Sequence, residues 1–277
     1  MRELTMPEPQ DAGAAARVDT SRPHPARMYD WMLGGKDNYP VDEELGRQMV
    51  ALEPQLPLMA RMNRAFMRRA TRWLATRGID QFLDVGSGIP TEPNLHQVAQ
   101  SVRPEARVVY CDRDPIVMAH AEALLHGTPE GALDFALVDA HDTEAVLALA
   151  AKTLDLSRPV ALSLVALLHF IRDEDGAHAL VTALKDALAP GSHLVMSHFT
   201  ADFHAPGDVA RASGTYRAKG LTAALRTRAE FTRFLDGFET VGPGVVLAEE
   251  WHPELGERVP GQDGRVSSTY AAVARKA

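Results

Sequence analysis

The clearest pattern in the chain is a stripe. Within Leu56 to Thr76, the residues Met59, Met62, Phe66, Ala70 and Trp73 recur at spacings of three and four, which places them on one face of a helix. Arg61, Arg64, Arg68 and Arg72 fall on the opposite face and read as a solvated surface rather than a nucleic-acid surface. From Gly78 onward the pattern changes to alternating strand-like and helix-like segments. Strands are predicted at 81–85, 106–111, 133–138, 159–166 and 191–198, and helices at 93–101, 115–125, 142–152 and 174–188. In the last of these helices Leu180, Leu184 and Leu188 share a stripe that Pro190-Gly191 ends. A helix near 227–235 and strands near 244–248 and 269–275 complete the set. Repeated strand–helix units imply parallel strands, right-handed crossovers and helices on both faces. The expected architecture is therefore α/β, with a mostly parallel seven-stranded sheet flanked by helices. Residues 23–77 form an N-terminal helical cap, 78–277 the sheet domain, and 1–22, without periodicity, a flexible tail.

Composition narrows the function classes. The 277 residues suffice for one large domain, or one domain and a cap, and 45% apolar with 24% charged residues is ordinary for a globular protein. A net charge of −8 argues against general nucleic-acid binding. The single cysteine, Cys111, allows no intramolecular disulfide and fits a reducing compartment. It cannot build a thiolate zinc site, and no His and carboxylate cluster has metal spacing. Met1 to Thr20 lacks the apolar core of a secretory signal. The most apolar stretch, Val160 to Ile171, is interrupted by Ser163 and His169 and is far shorter than the roughly 18–20 residues of a membrane span. A cytoplasmic protein with no metal and no nucleic-acid or membrane partner is expected, with monomer and homodimer both open.

Candidate chemistry lies at the strand ends, where such sheets bind ligands. The first strand runs into Asp84-Val-Gly86-Ser87-Gly88, and glycine there lets a ligand approach the backbone. The second ends at Asp112, followed by Arg113, 26 residues beyond Gly86, where a carboxylate can accept ribose hydroxyls. The third ends at Asp139-Ala140, where a carboxylate can accept the amine of adenine. Each acid alone reads equally as a helix cap or turn residue; together they read as a nucleoside site. A dinucleotide pyrophosphate wants helix-terminal amides and no nearby negative charge. Asp84 suits a cofactor with a cationic amino-acid end, which favours S-adenosylmethionine over NAD.

This pattern is similar to the first three motifs of class I methyltransferases, which have a Rossmann-like sheet and use S-adenosylmethionine; Pro90 stands where those enzymes often have a third glycine. The N-terminal run Pro25-Ala-Arg27-Met-Tyr29-Asp30-Trp-Met-Leu-Gly34-Gly35-Lys36-Asp37-Asn38-Tyr39 resembles the signature of an actinobacterial family of such methyltransferases, formerly a domain of unknown function. Met62-Asn63-Arg64-Ala-Phe66, Phe82 to Thr91, Val160 to Phe170 and Leu188 to His198 resemble it too, so the likeness runs from about Pro23 through nearly the whole chain. It implies that Arg27, Tyr29, Gly34, Gly35, Lys36 and Asn38 belong to a lid over the cofactor; from composition alone Gly34–Asn38 reads equally as a turn. Asn63, at the edge of the apolar stripe, needs a polar partner. That partner is a backbone carbonyl or the cofactor carboxylate, the latter with Arg64 or Arg27 as companion.

The segment Leu167-Leu-His169-Phe-Ile-Arg-Asp173-Glu174 resembles that of small-molecule O-methyltransferases, in which the histidine is the general base, although Phe170 replaces the usual Asp. The resemblance implies His169 as base; the other reading is a packed histidine lining the adenosyl pocket. His198 is a further candidate. The expected function is methyl transfer to a small molecule, with a non-catalytic S-adenosylmethionine sensor and a nicotinamide oxidoreductase as alternatives.

Overall fold

Alternation along the strands sets the architecture. The computed structural model describes residues 19–256, 258–264 and 267–277, so most of the expected tail lies outside the described residues. Three helices come first: α1 (Pro25–Met32), α2 (Pro40–Leu52) and α3 (Leu56–Thr76). Then β1 (Gln81–Val85), β2 (Arg107–Asp112), β3 (Ala132–Leu137) and β4 (Ala161–Val165) alternate with α4 (Leu95–Val102), α5 (Pro115–Leu124) and α6 (Thr143–Ala150). After α7 (Ala177–Asp186) come β5 (His193–Phe199), α8 (Pro206–Ala218), α9 (Arg228–Thr232), β6 (Phe238–Thr240), β7 (Val246–Leu247) and β8 (Thr269–Lys276).

The strand order is β3-β2-β1-β4-β5-β8-β6, with β7 also paired to β8. The five strands from β3 to β5 are parallel, and β8 runs antiparallel between β5 and β6. This is the expected α/β class, and α3 spans the residues that its stripe predicts. The sheet has eight strands rather than seven. The expected strand near 244–248 is the two-residue β7, and the edge position belongs to β6, whose three residues are too few to show a period. Helix α8 was not expected either, because none of its residues is fully buried.

Both faces of the sheet are covered, as parallel strands require. On one face Leu83, Val109, Leu162 and Met196 pack under α6, α7 and Phe231. On the other, Phe82, Val108, Ala161 and Val195 pack under Phe66, Ala70, Trp73 and Leu74 of α3, with Leu95 and Ala99 of α4. The first half of α3 does something else. Its Ala60 joins Met28, Met32, Leu45 and Met49 in a small core of the N-terminal helices. The helix therefore belongs to cap and sheet together, and the expected division at 77/78 does not separate their packing.

The arginine stripe is likewise not a plain solvated face. Arg64 donates to the Thr91 carbonyl at 2.7 Å, and Arg68 donates to those of Glu92 and Pro93. On the buried side Arg69, 5% exposed, donates to the carbonyls of Trp251 and Ala248, fixing the segment that leads to β8. Phe66 and Trp73 pack edge-on against Trp251 at 5.5 and 6.0 Å between ring centroids. Replacing Arg69 by Ala strips two buried carbonyls of a charged donor. We expect it to lower the free energy of unfolding by about 2–4 kcal/mol in urea titrations.

Candidate active site

The loop after β1 is shaped by its glycines and by the end of β2. Gly86 has φ +75°, a conformation that strains other residues, and a Cβ there would also push the Leu167 side chain, 2.6 Å away, aside. The amides of Gly86 and Ser87 donate to the Cys111 carbonyl, and that of Gly88 donates to Asp112 Oδ2 at 2.9 Å. Asp112 Oδ1 accepts from the amide of Asp114 at 3.0 Å, which leaves further lone pairs on both oxygens.

A cleft of about 150 Å³ opens above these strand ends. It brings together Asp84, Gly86, Ser87, Gly88, Asp112, Arg113, Asp139 and Ala140 from the sheet side with Tyr29, Asn63 and Arg64 from α1 and α3. At its outer rim Asp139 accepts from the amide and the ring of His141, at 2.9 and 2.7 Å, with Arg113 at 3.6 Å. Sequence reasoning missed His24 and His141, which also line the cleft with Ile89, Val165, Ala166, Leu167, Phe170 and Ile171. His141 had a signal, two residues beyond a strand-end acid; His24 had none, because only the packing of α1 brings it in.

The electrostatics are those of acids deprived of water. Burial, reinforced by the Asp112 charge and opposed by Ser163 and Arg64, pushes the Asp84 carboxyl up to about 6. Burial also raises Asp112, against the amides that donate to it. The buried donors and acceptors of α3 are incompletely used. Tyr29 donates its hydroxyl to the Ala60 carbonyl at 2.9 Å and accepts from Asn63 Nδ2 at 2.9 Å. That pair fixes the amide orientation and leaves Asn63 Oδ1, on a side chain 1% exposed, with no partner among the described residues. Arg64 Nε is likewise buried without a partner among them. Orphaned acceptor, orphaned donor and carboxylate around one cleft suit a zwitterionic amino-acid end, and the open space beside Gly88 suits a group lying on the backbone. The residues present fit S-adenosylmethionine.

Five expected cofactor contacts are not in the cleft. Gly34, Gly35, Lys36 and Asn38 close a turn around Asp30 instead. Its carboxylate accepts from the Asp37 amide at 2.9 Å and Asn38 Nδ2 at 2.8 Å, and a Cβ on Gly35 would strike it. The Asp37 amide and the Asn38 side chain are thus satisfied within the segment, which is the turn reading. Arg27, 3% exposed, is held between Asp42 at 3.5 Å and Asp114 at 3.9 Å, tying α1 to α2 and to the start of α5.

His169 lies in an adjoining cavity, also of about 150 Å³, that shares Pro25, Tyr29 and Phe170 with the cleft. It is 3% exposed, and Phe170 and Phe199 lie at 4.2 and 4.8 Å from its ring. Burial, with the neighbouring His198 and Arg226, holds it well below the usual histidine value, so the ring is neutral at pH 7. The acids that follow do not serve it: Asp173 accepts from Arg226, and Glu174 pairs with Arg172. His198 is structural. It accepts from Arg226 at Nε2, at 2.8 Å, and donates from Nδ1 to the Phe199 carbonyl.

Asp84 carries a stability cost with a definite pH window. Its folded value of about 6 exceeds the ordinary 3.8, so the folded state binds this proton more tightly and stability falls as pH rises from about 4 to about 6. Asp84→Asn should therefore stabilise the free protein at pH 7 by about 1–3 kcal/mol. The gain should vanish below about pH 4, as read by denaturant titration across that range.

Comparisons with known proteins show the family. The sequence model of the family described as S-adenosyl methyltransferase matches residues 11–277. The structure is similar to that of a DUF574 family protein from Streptomyces avermitilis, at 46% identity and a TM-score of 0.89, covering 94% of this chain and 100% of that one. It is also similar to a Thermobifida fusca protein proposed to be a methyltransferase, at 38% identity and a TM-score of 0.83, covering 96% and 99% of the two chains. Among curated proteins no sequence matches. The expectation of a methyltransferase using S-adenosylmethionine, with actinobacterial relatives, holds, and the oxidoreductase alternative is set aside. The chain belongs to the S-adenosyl methyltransferase family.

Proposed function

We propose that the enzyme methylates a small, largely apolar molecule held in the cavity beside the cofactor cleft. The observation that carries this reading is the contiguity of the two spaces. The strand-end cleft carries Asp84, Asp112 and Asp139; the second cavity is walled by Met28, Met32, Met49, Met59 and Phe199, and the two meet at Pro25, Tyr29 and Phe170. Methionine walls adapt to irregular apolar shapes. When bound, S-adenosylmethionine supplies an electrophilic methyl group on a sulfonium.

The chain's own residues then divide the work. Asp84 and Asn63 Oδ1 accept from the ammonium, Arg64 donates to the carboxylate, Asp112 accepts the ribose hydroxyls, and Asp139 accepts the adenine amine. Tyr29 and Phe170 form the partition through which the methyl must pass and hold the two reactants in line. His169, neutral and deprived of water, serves as a hydrogen-bond acceptor for the incoming group.

Two measurements test this. Because Asp84 titrates near pH 6, calorimetric affinity for S-adenosylmethionine should be level above about pH 7 and fall about tenfold per pH unit below 6. A flat profile from pH 5 to 7 would remove Asp84 from the ammonium site. Formation of S-adenosylhomocysteine with members of an apolar metabolite library, lost on replacing Ala212 in the cavity wall by Trp, supports the acceptor assignment. Turnover with none of them would instead favour a cofactor sensor.

A further inference from the structure

The cavity wall carries a charge pattern that selects among apolar acceptors. Its acids and histidines are Glu53, Asp208, His169 and His204, beside the tyrosines Tyr29 and Tyr216; among the described residues no Lys or Arg lines it. Asp208, at the start of α8, is more than half exposed and pairs with Arg211, so its charge is spent at the rim. Glu53, just past the end of α2, is three-quarters shielded. Its Oε1 accepts from the Gln55 amide at 2.9 Å, and its Oε2 stands 3.5 Å from His204 Nδ1. A carboxylate just past α2 and a histidine just before α8 thus meet in the lining of this methionine-rich cavity. His169 Nδ1, buried and without a partner among the described residues, is a second acceptor-capable atom on a residue lining the same cavity.

A cavity with a shielded carboxylate and no cation opposes any ligand that brings negative charge, because that charge would be desolvated beside another of the same sign. Beside the hydroxyls of Thr200, Ser213 and Tyr216, which donate or accept, it offers a carboxylate oxygen and imidazole nitrogens that complement a donor. Its volume is about that of cavities that take a single aromatic ring. We infer that the acceptor is an apolar molecule of about one ring carrying a neutral or cationic hydrogen-bond donor, a hydroxyl or an amine, that engages the Glu53–His204 pair, and that carboxylates and phosphate esters are excluded. This rests on the reading of the cavity as the acceptor site.

The test uses a matched set of probes: 4-methylphenol, 4-methylaniline and 4-methylbenzoate. Each is titrated into the full-length protein saturated with S-adenosylhomocysteine, and binding is followed by ligand-observed NMR at pH 7.5. The phenol and the aniline should bind at least tenfold more tightly than the benzoate. Glu53→Gln should shrink that gap to threefold or less while leaving the affinity for S-adenosylhomocysteine unchanged, which also shows that the variant is folded. Ala212→Trp should abolish binding of all three probes with cofactor affinity retained. Benzoate binding as tightly as the phenol, or a gap that Glu53→Gln leaves intact, overturns the donor assignment alone. Failure of all three probes to bind, or binding that survives Ala212→Trp, overturns the cavity as the acceptor site and the inference with it.

Discussion

The seat of α3 on the sheet is the contact on which the rest of the molecule depends. Phe66, Ala70, Trp73 and Leu74 bury the second half of the helix over β4, β5 and β8, and Arg69 fastens it to the carbonyls that precede β8. A rigid helix then carries its first half out past the carboxyl ends of the strands. Asn63 and Arg64 arrive over Asp84 because Phe66, less than one turn away, is fixed beneath. Tyr29 hangs on the same helix through Ala60 and Asn63, so α1 is placed by α3 rather than by the sheet. The site is pre-shaped by ordinary core packing, with its polar groups on helices and strand ends rather than on free loops.

Beneath that helix the sheet concentrates charge where water is scarce. A parallel sheet brings β1, β2 and β3 to the same edge, and each of the three runs into an acid within two residues of its last position. Asp84 sits between Tyr110 and Ser163 in register, inside the sheet rather than beyond it. Its desolvation, and the unpartnered atoms of Asn63 and Arg64, are departures from the rule that buried polar groups are satisfied. Such departures collect at sites that complete themselves with a ligand, and these three surround one cleft.

How much of this was legible in the sequence follows from how local each signal is. α3 declares itself because its period persists for 21 residues, and the parallel strands declare themselves because both their faces are apolar. The strand-end acids are legible for the same reason: a strand that is located locates its end. Gly34–Asn38 shows the opposite case. Its glycines and polar residues have the composition of a ligand loop, but Asp30, a turn earlier on α1, satisfies them, and only coordinates reveal an internal partner. Arg27 is similar, since its partners Asp42 and Asp114 are brought in by other elements. The arginine stripe misleads in the other direction. Charge on a helix face reads as solvated, yet Arg64 and Arg68 spend theirs on the carbonyls of the loop after β1.

Helix α8 joins the limits of sequence reading to the function. Val209, Ala212, Ser213 and Tyr216 recur at three and four, a helical stripe, but the set is small and half polar and so does not look like a core face. It is not a core face. Those four residues line the apolar cavity opposite Met28, Met49 and Met59, and none of them is fully buried because the space in front of them is not filled by protein. A helix that packed well enough to be predicted would have closed the cavity. The weak amphipathicity of α8 is thus the sequence trace of a cavity wall, and its position beside His204 and Phe199 places that wall next to the strand-end cleft. Residues that contribute little to the core leave open space, which is why the least legible helix borders the cavity.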